Sequence, residues 1–290
     1  MQNRGFEITL GYHKTNGEFK YDINGTFALN RNKILTLSSA NASIVSGGDA
    51  DYGGGGPITN TVVGQPVQSF YGYIVDGIFQ NAADVTNSAK QTGAAPGDIK
   101  FRDVNNDGVI NDADRTFIGS YLPKFTYSLN YSASYKNFDA VVFFQGVYGN
   151  KIFNAERIIL EGMPRLFNAG TNVLNAWTPT NTDTNVPRAI SGDPNSNVRP
   201  STRWIESGSY LRLKNLQIGY NFPTAWLKSK TDNALNRLRV YVASTNLLTF
   251  TKYKGLDPEI GSRNGTLTNG IDYGQYPQPR TVQLGLQATF

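Results

Sequence analysis

Apolar and polar side chains alternate along much of this chain. Near the start, Phe6, Ile8 and Leu10 fall on one side, and Glu7 and Thr9 fall on the other. A period of two is that of a β-strand with one apolar face. The alternation recurs and predicts seven long strands, at about residues 4–13, 19–30, 125–135, 138–148, 210–222, 237–250 and 278–290.

The segments between the predicted strands are short and long in turn. Thr15-Asn16-Gly17 and Lys136-Asn137 are tight-turn sequences. Three long connections, rich in Asn, Ser, Thr and Gly, cover residues 32–123, 151–207 and 251–277. The predicted fold class is therefore all-β, an antiparallel meander of about seven long strands.

Shorter features are visible inside the long connections. Residues 70–79 are apolar and predict a short strand or turn, and residues 154–162 predict a short helix. The glycine run at 53–56 lacks the Lys-Ser/Thr ending of a phosphate-binding loop, so we interpret it as a flexible linker.

The strand pattern favours a membrane β-barrel over a soluble β-sandwich. The polar faces carry Ser, Thr, Asn and Gln with few charges, as a wet lumen tolerates, and Tyr and Phe lie near the strand ends. Sandwich strands are usually about 5–6 residues long, whereas several here continue for longer. Short turns at one end and long loops at the other are typical of outer-membrane barrels.

The composition excludes several kinds of chemistry. The chain has no cysteine and one histidine, His13, so disulfides, thiolate or histidine zinc sites and Ser–His or Cys–His mechanisms are not expected. Charged residues make up 17% of the chain and the net charge is +5, without a Lys/Arg run. A nucleic-acid partner is therefore not expected.

Residues 103–114 resemble a calcium-binding loop. Oxygen-bearing side chains occupy its first, third, fifth, ninth and twelfth places, Gly108 occupies the sixth, where the chain turns sharply, and the seventh supplies a backbone carbonyl. An Asx-rich surface turn that binds nothing is the alternative. The predicted ligands of Ca²⁺ are Asp103, Asn105, Asp107, Val109, Asn111 and Asp114.

The loop departs from an EF-hand in two respects. Pro96 and Gly97 lie upstream, so no long entering helix is expected, and Asp114 stands where an EF-hand has the longer Glu. An affinity at the weak, extracellular end, roughly 10⁻⁴–10⁻³ M, follows. The apolar Ile110 is expected to hold the loop against whatever lies beneath it.

A catalytic role is not expected. Four acidic residues in the long connections could pair as glycosidase acids, and three aromatic residues there could stack on sugar rings. Acidic loop residues are more often solvated, and aromatic loop residues more often pack locally. The residues in question are Asp193, Glu206, Asp257 and Glu259, and Trp177, Trp204 and Tyr273.

Several short motifs, in order along the chain, resemble the SusC/RagA family of TonB-linked outer-membrane transporters. The terminal Phe290 looks like the C-terminal aromatic residue of outer-membrane proteins. The motifs are Val63-Gly64-Gln65-Pro66, Ser69-Phe70-Tyr71-Gly72-Tyr73, Asp76-Gly77-Ile78-Phe79, Pro96-Gly97-Asp98-Ile99, Asp114-Arg115-Thr116, Ile118-Gly119, Pro123-Lys124-Phe125-Thr126-Tyr127, Phe143-Phe144-Gln145-Gly146-Val147-Tyr148-Gly149-Asn150, Tyr210-Leu211-Arg212-Leu213-Lys214-Asn215, Thr245-Asn246-Leu247-Leu248 and Gly255-Leu256-Asp257-Pro258-Glu259.

The resemblance implies that residues 1–290 form the C-terminal portion of a TonB-dependent receptor barrel of about 22 strands. The signal peptide, plug, TonB-contacting segment and earlier strands would lie outside this sequence. The three long loops, including residues 103–114, would be extracellular. The implied partners are a SusD-like lipoprotein, TonB (through the missing N-terminal part), outer-membrane lipid and a glycan or peptide substrate.

The leading functional hypothesis is nutrient import across the cell outer membrane, of oligosaccharides or peptides, without catalysis. The alternative is a secreted glycan-binding or adhesive β-protein stiffened by calcium. In that alternative the strands would enclose a dry core rather than a lumen lined by Ser, Thr and Asn.

Overall fold

A computed structural model describes residues 1–39, 42–49, 52, 56–232, 234–263 and 267–290. Gly53, Gly54 and Gly55 of the expected linker lie outside the described residues. The strands are β1 (Gln2–Lys14), β2 (Phe19–Lys33), β3 (Ile44–Ser46), β4 (Thr59–Thr61), β5 (Ser69–Gly72), β6 (Val75–Ile78), β7 (Ile99–Phe101), β8 (Thr116–Ser120), β9 (Phe125–Tyr135), β10 (Phe138–Tyr148), β11 (Lys151–Asn154), β12 (Ile205–Ser207), β13 (Tyr210–Asn221), β14 (Arg237–Thr251), β15 (Ile271–Asp272) and β16 (Thr281–Thr289).

The helices are short. In the part of the chain that the structure describes, three 3-10 turns accompany three α-helices. The α-helices are α1 (Ala82–Thr86), α2 (Glu156–Glu161) and α3 (Thr224–Lys230), and the 3-10 turns are Asp112–Asp114, Thr171–Asn175 and Thr202–Trp204. Among the described residues, no helix is long and apolar enough to cross a membrane.

Seven long strands form one antiparallel sheet in the order β1-β2-β9-β10-β13-β14-β16. These are the seven strands that the alternation predicts, and the all-β meander is confirmed. The β1–β2 pairing runs without interruption from Gln2↔Lys33 to Lys14↔Tyr21. Two irregularities of register interrupt the pairings of β13, one with β10 between Phe143 and Phe144, and one with β14 between Leu213 and Asn215.

The two ends of this sheet differ. At one end, which we call the turn end, short connections join β1 to β2 and β9 to β10, and the segment that carries α3 joins β13 to β14. At the opposite end, the loop end, lie the three long connections, residues 34–124, 149–209 and 252–280. This asymmetry matches the predicted one.

The three long connections fold together into what we call the loop assembly. It contains a four-stranded sheet (β3-β4-β5-β8), a three-stranded sheet (β12-β11-β15) and a pair (β6-β7). One buried core draws on all three connections: Ile58 and Phe70 from the first, Phe153 and Trp204 from the second, and Ile271 from the third. Their burial stabilises the assembly, since each such side chain contributes about 1.5–3 kcal/mol.

The predicted features inside the connections are present. The apolar stretch at 70–79 contributes to β5 and β6, and α2 lies in the stretch that predicts a helix. Gly97 turns the chain with φ +91°, and a Cβ there would lie 2.4 Å from the Trp177 ring. A side chain at this position would therefore displace the tryptophan.

Candidate functional site

The long sheet has one apolar face that the described part of the chain leaves open. Apolar side chains from neighbouring strands stand on it in register, for example Ile23 beside Tyr131 and Tyr131 beside Val142. Leu129 is 42% exposed, Ile218 53% and Leu284 84%. Within the described ranges, neither a second sheet nor a helical layer covers the middle of this face. Such an uninterrupted apolar surface indicates contact with an apolar medium.

Aromatic rings border the apolar face at both ends. At the loop end, Phe6, Phe27 and Phe125 follow one another with ring centroids 6.0 and 5.2 Å apart, and Phe125 stacks on Tyr148 at 4.8 Å. At the turn end the corresponding rings are Tyr12, Phe19, Tyr21, Tyr135, Phe138, Tyr220, Phe222 and Trp226. Two aromatic belts around an apolar band are typical of a wall that crosses a bilayer.

The opposite face of the sheet is polar. One row across the strands pairs Thr9 with Thr26, Thr26 with Ser128, and Ser128 with Gln145. Gln145 pairs in turn with Arg212 on β13. Hydroxyl and amide groups of this kind hydrogen-bond to water or to a polar solute, so this face is suited to a wet passage.

An ion cluster occupies the loop end of the polar face. The side chain of Arg212 is 1% exposed, and its Nη2 lies 2.6 Å from Asp257 Oδ1 and its Nη1 2.9 Å from Glu259 Oε2. Arg212 Nε donates to Thr249 Oγ1 at 3.0 Å, and Lys214 Nζ lies 3.0 Å from Glu259. The cluster thereby joins the third long connection to β13.

A second ion pair lies at the turn end of the same face. Arg239 Nε donates to Asp139 Oδ1 at 3.0 Å, and Asn221 Nδ2 donates to the same oxygen at 2.7 Å. The guanidinium lies across Gly219, where a Cβ would be 2.5 Å from Nη2. Glycine at this position therefore leaves the space that the arginine needs.

A buried polar network joins the first and second long connections. Asp98 is fully buried and accepts two hydrogen bonds of 2.9 Å from Arg188, one of 3.0 Å from Asn197 Nδ2 and one of 2.9 Å from the backbone N–H of Ala95. Gln91 and Asn195 are also buried and bond to each other at 2.9 Å. Because the buried side chains of Asp98, Gln91 and Asn195 have these hydrogen bonds, they avoid the free-energy cost of an unpaired buried polar group.

Two arginines flank the buried ring of Trp204 in the loop assembly. Arg157 lies 2.7 Å from Glu161 and 3.0 Å from Glu206, whereas Arg203 comes within only 4.0 Å of Glu161. Burial, together with the charge of Arg157, lowers the pKa of Arg203 to about 10. Burial alone would raise the pKa of Glu161, but the hydrogen bond and charge of Arg157 outweigh it and hold this pKa below its usual value.

Four of the six predicted calcium ligands converge. Asp107 Oδ2 accepts from Asn105 Nδ2 at 2.9 Å and from Asn111 Nδ2 at 3.5 Å, and Asn111 Nδ2 also contacts the carbonyl oxygen of Val109 at 3.3 Å. The pKa of Asp107 is lowered, first by the hydrogen bond from Asn105 and then by the N–H of Val109. Turning an asparagine amide would present its oxygen in place of its nitrogen.

The two ends of the loop are engaged with the backbone. Asp103 accepts from the N–H groups of Asp107 and Gly108, and Gly108 has φ +81°, as the sharp turn requires. Asp114 is fully buried, and its oxygens accept from the N–H groups of Val104 and Asn111 at 2.8 Å each. No three Asp, Glu or His side chains of the described residues are grouped to hold a metal. A cation here would therefore depend on amide and carbonyl oxygens beside the carboxylates.

Ile110 holds this loop in place, as its sequence position predicts. It is 8% exposed and packs in a small core with Tyr73, Ile99 and Phe101. The hydroxyl of Tyr73 donates to Asp112 Oδ1 at 3.1 Å. The loop therefore has a fixed base within the loop assembly.

The four acidic residues weighed as glycosidase acids are engaged in structural bonds. Asp193 accepts from the N–H groups of Asn197 and Val198, Glu206 pairs with Arg157, and Asp257 and Glu259 pair with Arg212. Burial raises the pKa of Asp193. No pair of them is presented as a free acid and base.

The three aromatic residues weighed as sugar-stacking platforms are occupied by the protein. Trp204 is fully buried in the core of the loop assembly, and Trp177 is 7% exposed with its Nε1 donating to Gln80. Tyr273 donates its hydroxyl to the carbonyl oxygen of Gly47, and its ring packs against Tyr52. Local packing is therefore the role that the structure gives them.

The sequence analysis did not identify Arg188, Arg212 and Gln91 as residues that hold this region together. Arg188 meets its partner Asp98 across 90 positions of sequence. Asp98 and Arg212 each stand inside a motif quoted above, which was the one available indication.

No family model matches the chain. Among curated proteins, it is 36% identical over 300 aligned positions to TonB-dependent receptor P3 of Formosa agariphila, and 26% identical over 294 to TonB-dependent receptor SusC of Bacteroides thetaiotaomicron. Both alignments cover 100% of this chain, but only 29% and 26% of those proteins.

Solved structures give the same result. The RagAB peptide transporter matches 99% of this chain and 29% of the solved chain, with a TM-score of 0.75 and 26% identity. The RagAB peptide importer in its closed-closed state matches with a TM-score of 0.76. These relatives are receptors, transporters and importers, which confirms the expectation that the chain is not an enzyme. Over its whole length the chain is therefore similar to TonB-dependent receptors, SusC among them, and to the solved RagAB transporter.

Proposed function

We propose that this chain forms part of the wall and the extracellular loops of an outer-membrane importer of nutrient oligosaccharides or peptides, driven through TonB. The polar face of the sheet would line the passage, and the apolar face would contact the lipid. The chain spans less than a third of the relatives that it matches, so import is a proposal for the whole receptor.

One observation carries this proposal: the apolar face remains open while the polar face bears hydroxyls, amides and paired charges. Ile218 and Val242, which are neighbours across β13 and β14, are about half exposed, at 53% and 50%. In water such a face would drive aggregation, whereas in a bilayer it is the stable surface.

We place the proposed protein partner outside the cell, at the loop assembly. This assembly shares one buried core among three connections and adjoins the loop end of the wall. A SusD-like lipoprotein that covers this end and delivers the substrate is therefore part of the proposal. One solved relative is a peptide importer, which supports peptides as one of the two proposed substrate classes.

The alternative, a secreted calcium-stiffened adhesive or glycan-binding protein, requires strands around a dry core. Leu129 and Ile218 are instead exposed, with no covering layer among the residues that the structure describes. No specific observation favours the alternative.

Import is tested by uptake of labelled oligosaccharides and peptides into cells that carry or lack the complete receptor, with and without active TonB. We expect uptake only with both. Uptake that persists without the receptor would contradict the proposal.

A second test uses the chain alone. In the sheet that the structure describes, β1 and β16 each have one unpaired edge, so the isolated chain should aggregate or require detergent. Monodisperse behaviour without detergent would contradict the barrel assignment.

We further propose that residues 103–114 bind Ca²⁺ and stiffen the loop assembly. The converging groups of Asn105, Asp107, Val109 and Asn111 support this proposal, with Asp103 and Asp114 as the remaining ligands. Calorimetric titration of the receptor with Ca²⁺ should give a weak binding isotherm that Asp103→Ala abolishes. Equal heats for the two proteins would contradict it. Asp76→Ala, outside the loop, is the control.

A further inference from the structure

A groove lies on the apolar face at the loop end. Its lining includes three side chains of the apolar face, Tyr148, Leu211 and Phe250, which we call its floor, and three lysines, Lys124, Lys151 and Lys252, which we call its basic edge. The cavity volume is about 640 Å³. Leu211 and Phe250 are direct partners across β13 and β14, and Tyr148 and Phe250 are 51% and 58% exposed. We call this cavity the rim groove.

The Tyr127 ring, which also lines the groove, packs over Gly146. Gly146 pairs with Leu211 on one side and with Tyr127 on the other. The Tyr127 ring lies across the glycine, so that a Cβ there would be 2.1 Å from Cζ. Tyr127 thereby continues the floor of the groove into the rest of the apolar face.

The rim groove is basic without an acidic counterpart. Its lining contains three lysines and no Asp or Glu. None of these lysines forms an ion pair within the described part of the chain. The neighbouring carboxylate, Glu206, is already bonded to Arg157 and to the N–H of Lys254.

The basic edge extends sideways along the rim. An adjoining hollow of about 490 Å³ shares Lys124 and Lys151, adds Arg31, and again has no acidic side chain in its lining. Arg31 Nη1 donates to the carbonyl oxygen of Lys124 at 2.7 Å, which fixes the arginine beside the rim groove. At the turn end, by contrast, the hollow that contains Lys14 and Lys20 also contains Asp22 and Asp139.

We propose that the rim groove binds the phosphorylated head group of a lipid of the outer leaflet, with the acyl chains against Tyr148, Leu211 and Phe250. This inference builds on the proposed membrane placement. Lysine ammonium groups attract phosphate at a membrane surface, and the apolar floor continues into the lipid-facing band. A free phosphate ion would make no contact with the apolar floor. An acidic protein would not enter the lipid layer below the head groups.

The test uses the complete receptor in phosphatidylcholine nanodiscs, with fluorescent bisphosphorylated lipid A as the probe. Lys124→Gln, Lys151→Gln and Lys252→Gln, combined, should weaken lipid A binding by at least about tenfold, since each lysine near an anionic surface contributes. The matched control combines Lys14→Gln, Lys20→Gln and Lys136→Gln at the turn end and should bind within about twofold of the wild type. The triple Lys→Arg variant should retain binding.

Three results would overturn the proposal. The first is equal binding by the wild type and the loop-end triple variant. The second is full displacement of lipid A by millimolar inorganic phosphate, which would assign a simple anion site. The third is binding of dephosphorylated lipid A as tightly as the phosphorylated form.

Measuring whether the receptor inserts into nanodiscs distinguishes a failure of the lipid site from a failure of the proposed function. A wild-type receptor that inserts into nanodiscs but binds lipid A no better than the loop-end variant overturns the lipid site alone. A wild-type receptor that does not insert overturns both.

Discussion

Arg212 and Asp257 are joined by a buried ion pair, with 2.6 Å between Nη2 and Oδ1. Arg212 belongs to β13 in the wall, and Asp257 belongs to the third long connection. Glu259 completes the pairing of the guanidinium at 2.9 Å. The contact therefore fixes a loop against the polar face of the wall, at the mouth of the proposed passage.

Removing Arg212 should strongly destabilise this junction. Arg212→Ala leaves Asp257 without its cation and Glu259 with Lys214 alone, and breaking a buried pair costs roughly 3–5 kcal/mol. The free energy of unfolding, measured with urea in detergent, should fall by about that amount, and residues 252–280 should become open to protease.

Lys214→Gln provides the control for that variant. Lys214 also contacts Glu259, but its side chain is 22% exposed and that of Glu259 is 34% exposed. Its loss should cost no more than about 1 kcal/mol. Equal losses for the two variants would contradict a special role for Arg212.

The Asp98–Arg188 pair should matter more than a surface pair of the same chemistry. Asp98→Ala removes a fully buried acceptor of four hydrogen bonds and should cost roughly 3 kcal/mol or more. Asp76→Ala breaks the exposed pair with Arg102 and should cost at most about 1 kcal/mol. Urea unfolding of both variants makes the comparison. A cost for Asp98→Ala as small as that for Asp76→Ala would show that the network does not hold the loop assembly.

Gly146 and Tyr127 should be coupled. Gly146→Ala displaces the Tyr127 ring and should destabilise the receptor by about 1–2 kcal/mol, whereas the same change in a Tyr127→Ala background should be neutral. Gly25→Ala is the control on the same face, because a Cβ there meets only Ser128 O at 3.9 Å. A double-mutant cycle that gives no interaction energy would contradict the packing.

Acid should weaken the loop assembly through Glu161. Its pKa is held below the usual 4.5, so the carboxylate stabilises the fold above that pH, and the contribution is lost as the pH falls below 4.5 and through the folded-state value. Glu161→Gln should therefore destabilise the receptor at pH 7, and the difference from wild type should shrink below pH 4.5.

Glu156 in the same helix gives the opposite control. Burial, and then the charge of Asp272, raises its pKa, so its stabilising contribution is present at low pH and is lost as the pH rises. Glu156→Gln should consequently leave the receptor as stable or more stable at neutral pH. Unfolding of both variants by urea, followed by tryptophan fluorescence at several pH values, tests this pair. The same sign for both variants at pH 7 would contradict it.

The sequence was sufficient for the wall because the alternation of side chains is a local property. The position of a residue such as Leu129 or Ser128 in the alternating pattern predicts which face of the sheet it occupies. The order of turns and long connections follows from the same pattern. The loop assembly was not predictable in this way. Its contacts, such as Asp98 with Arg188 and Arg212 with Asp257, join positions 90 and 45 apart, and no local pattern encodes them.

The candidate calcium loop lies between these cases. Its spacing and the sharp turn at Gly108 were readable, and so was the anchoring role of Ile110. The hydrogen bonds of Asp114 with two backbone N–H groups depend on the fold of the loop, so the sequence alone did not predict them.

The most direct test of the central claim uses the absence of cysteine from the chain. Single cysteines at Leu129 and Ile218 on the apolar face, and at Ser128 and Asn130 on the polar face, are labelled with an environment-sensitive fluorophore in the reconstituted receptor. Probes at 129 and 218 should be quenched by brominated lipid chains and ignore a charged aqueous quencher, and probes at 128 and 130 should do the reverse. Aqueous quenching at 129 and 218 without lipid quenching would contradict the account.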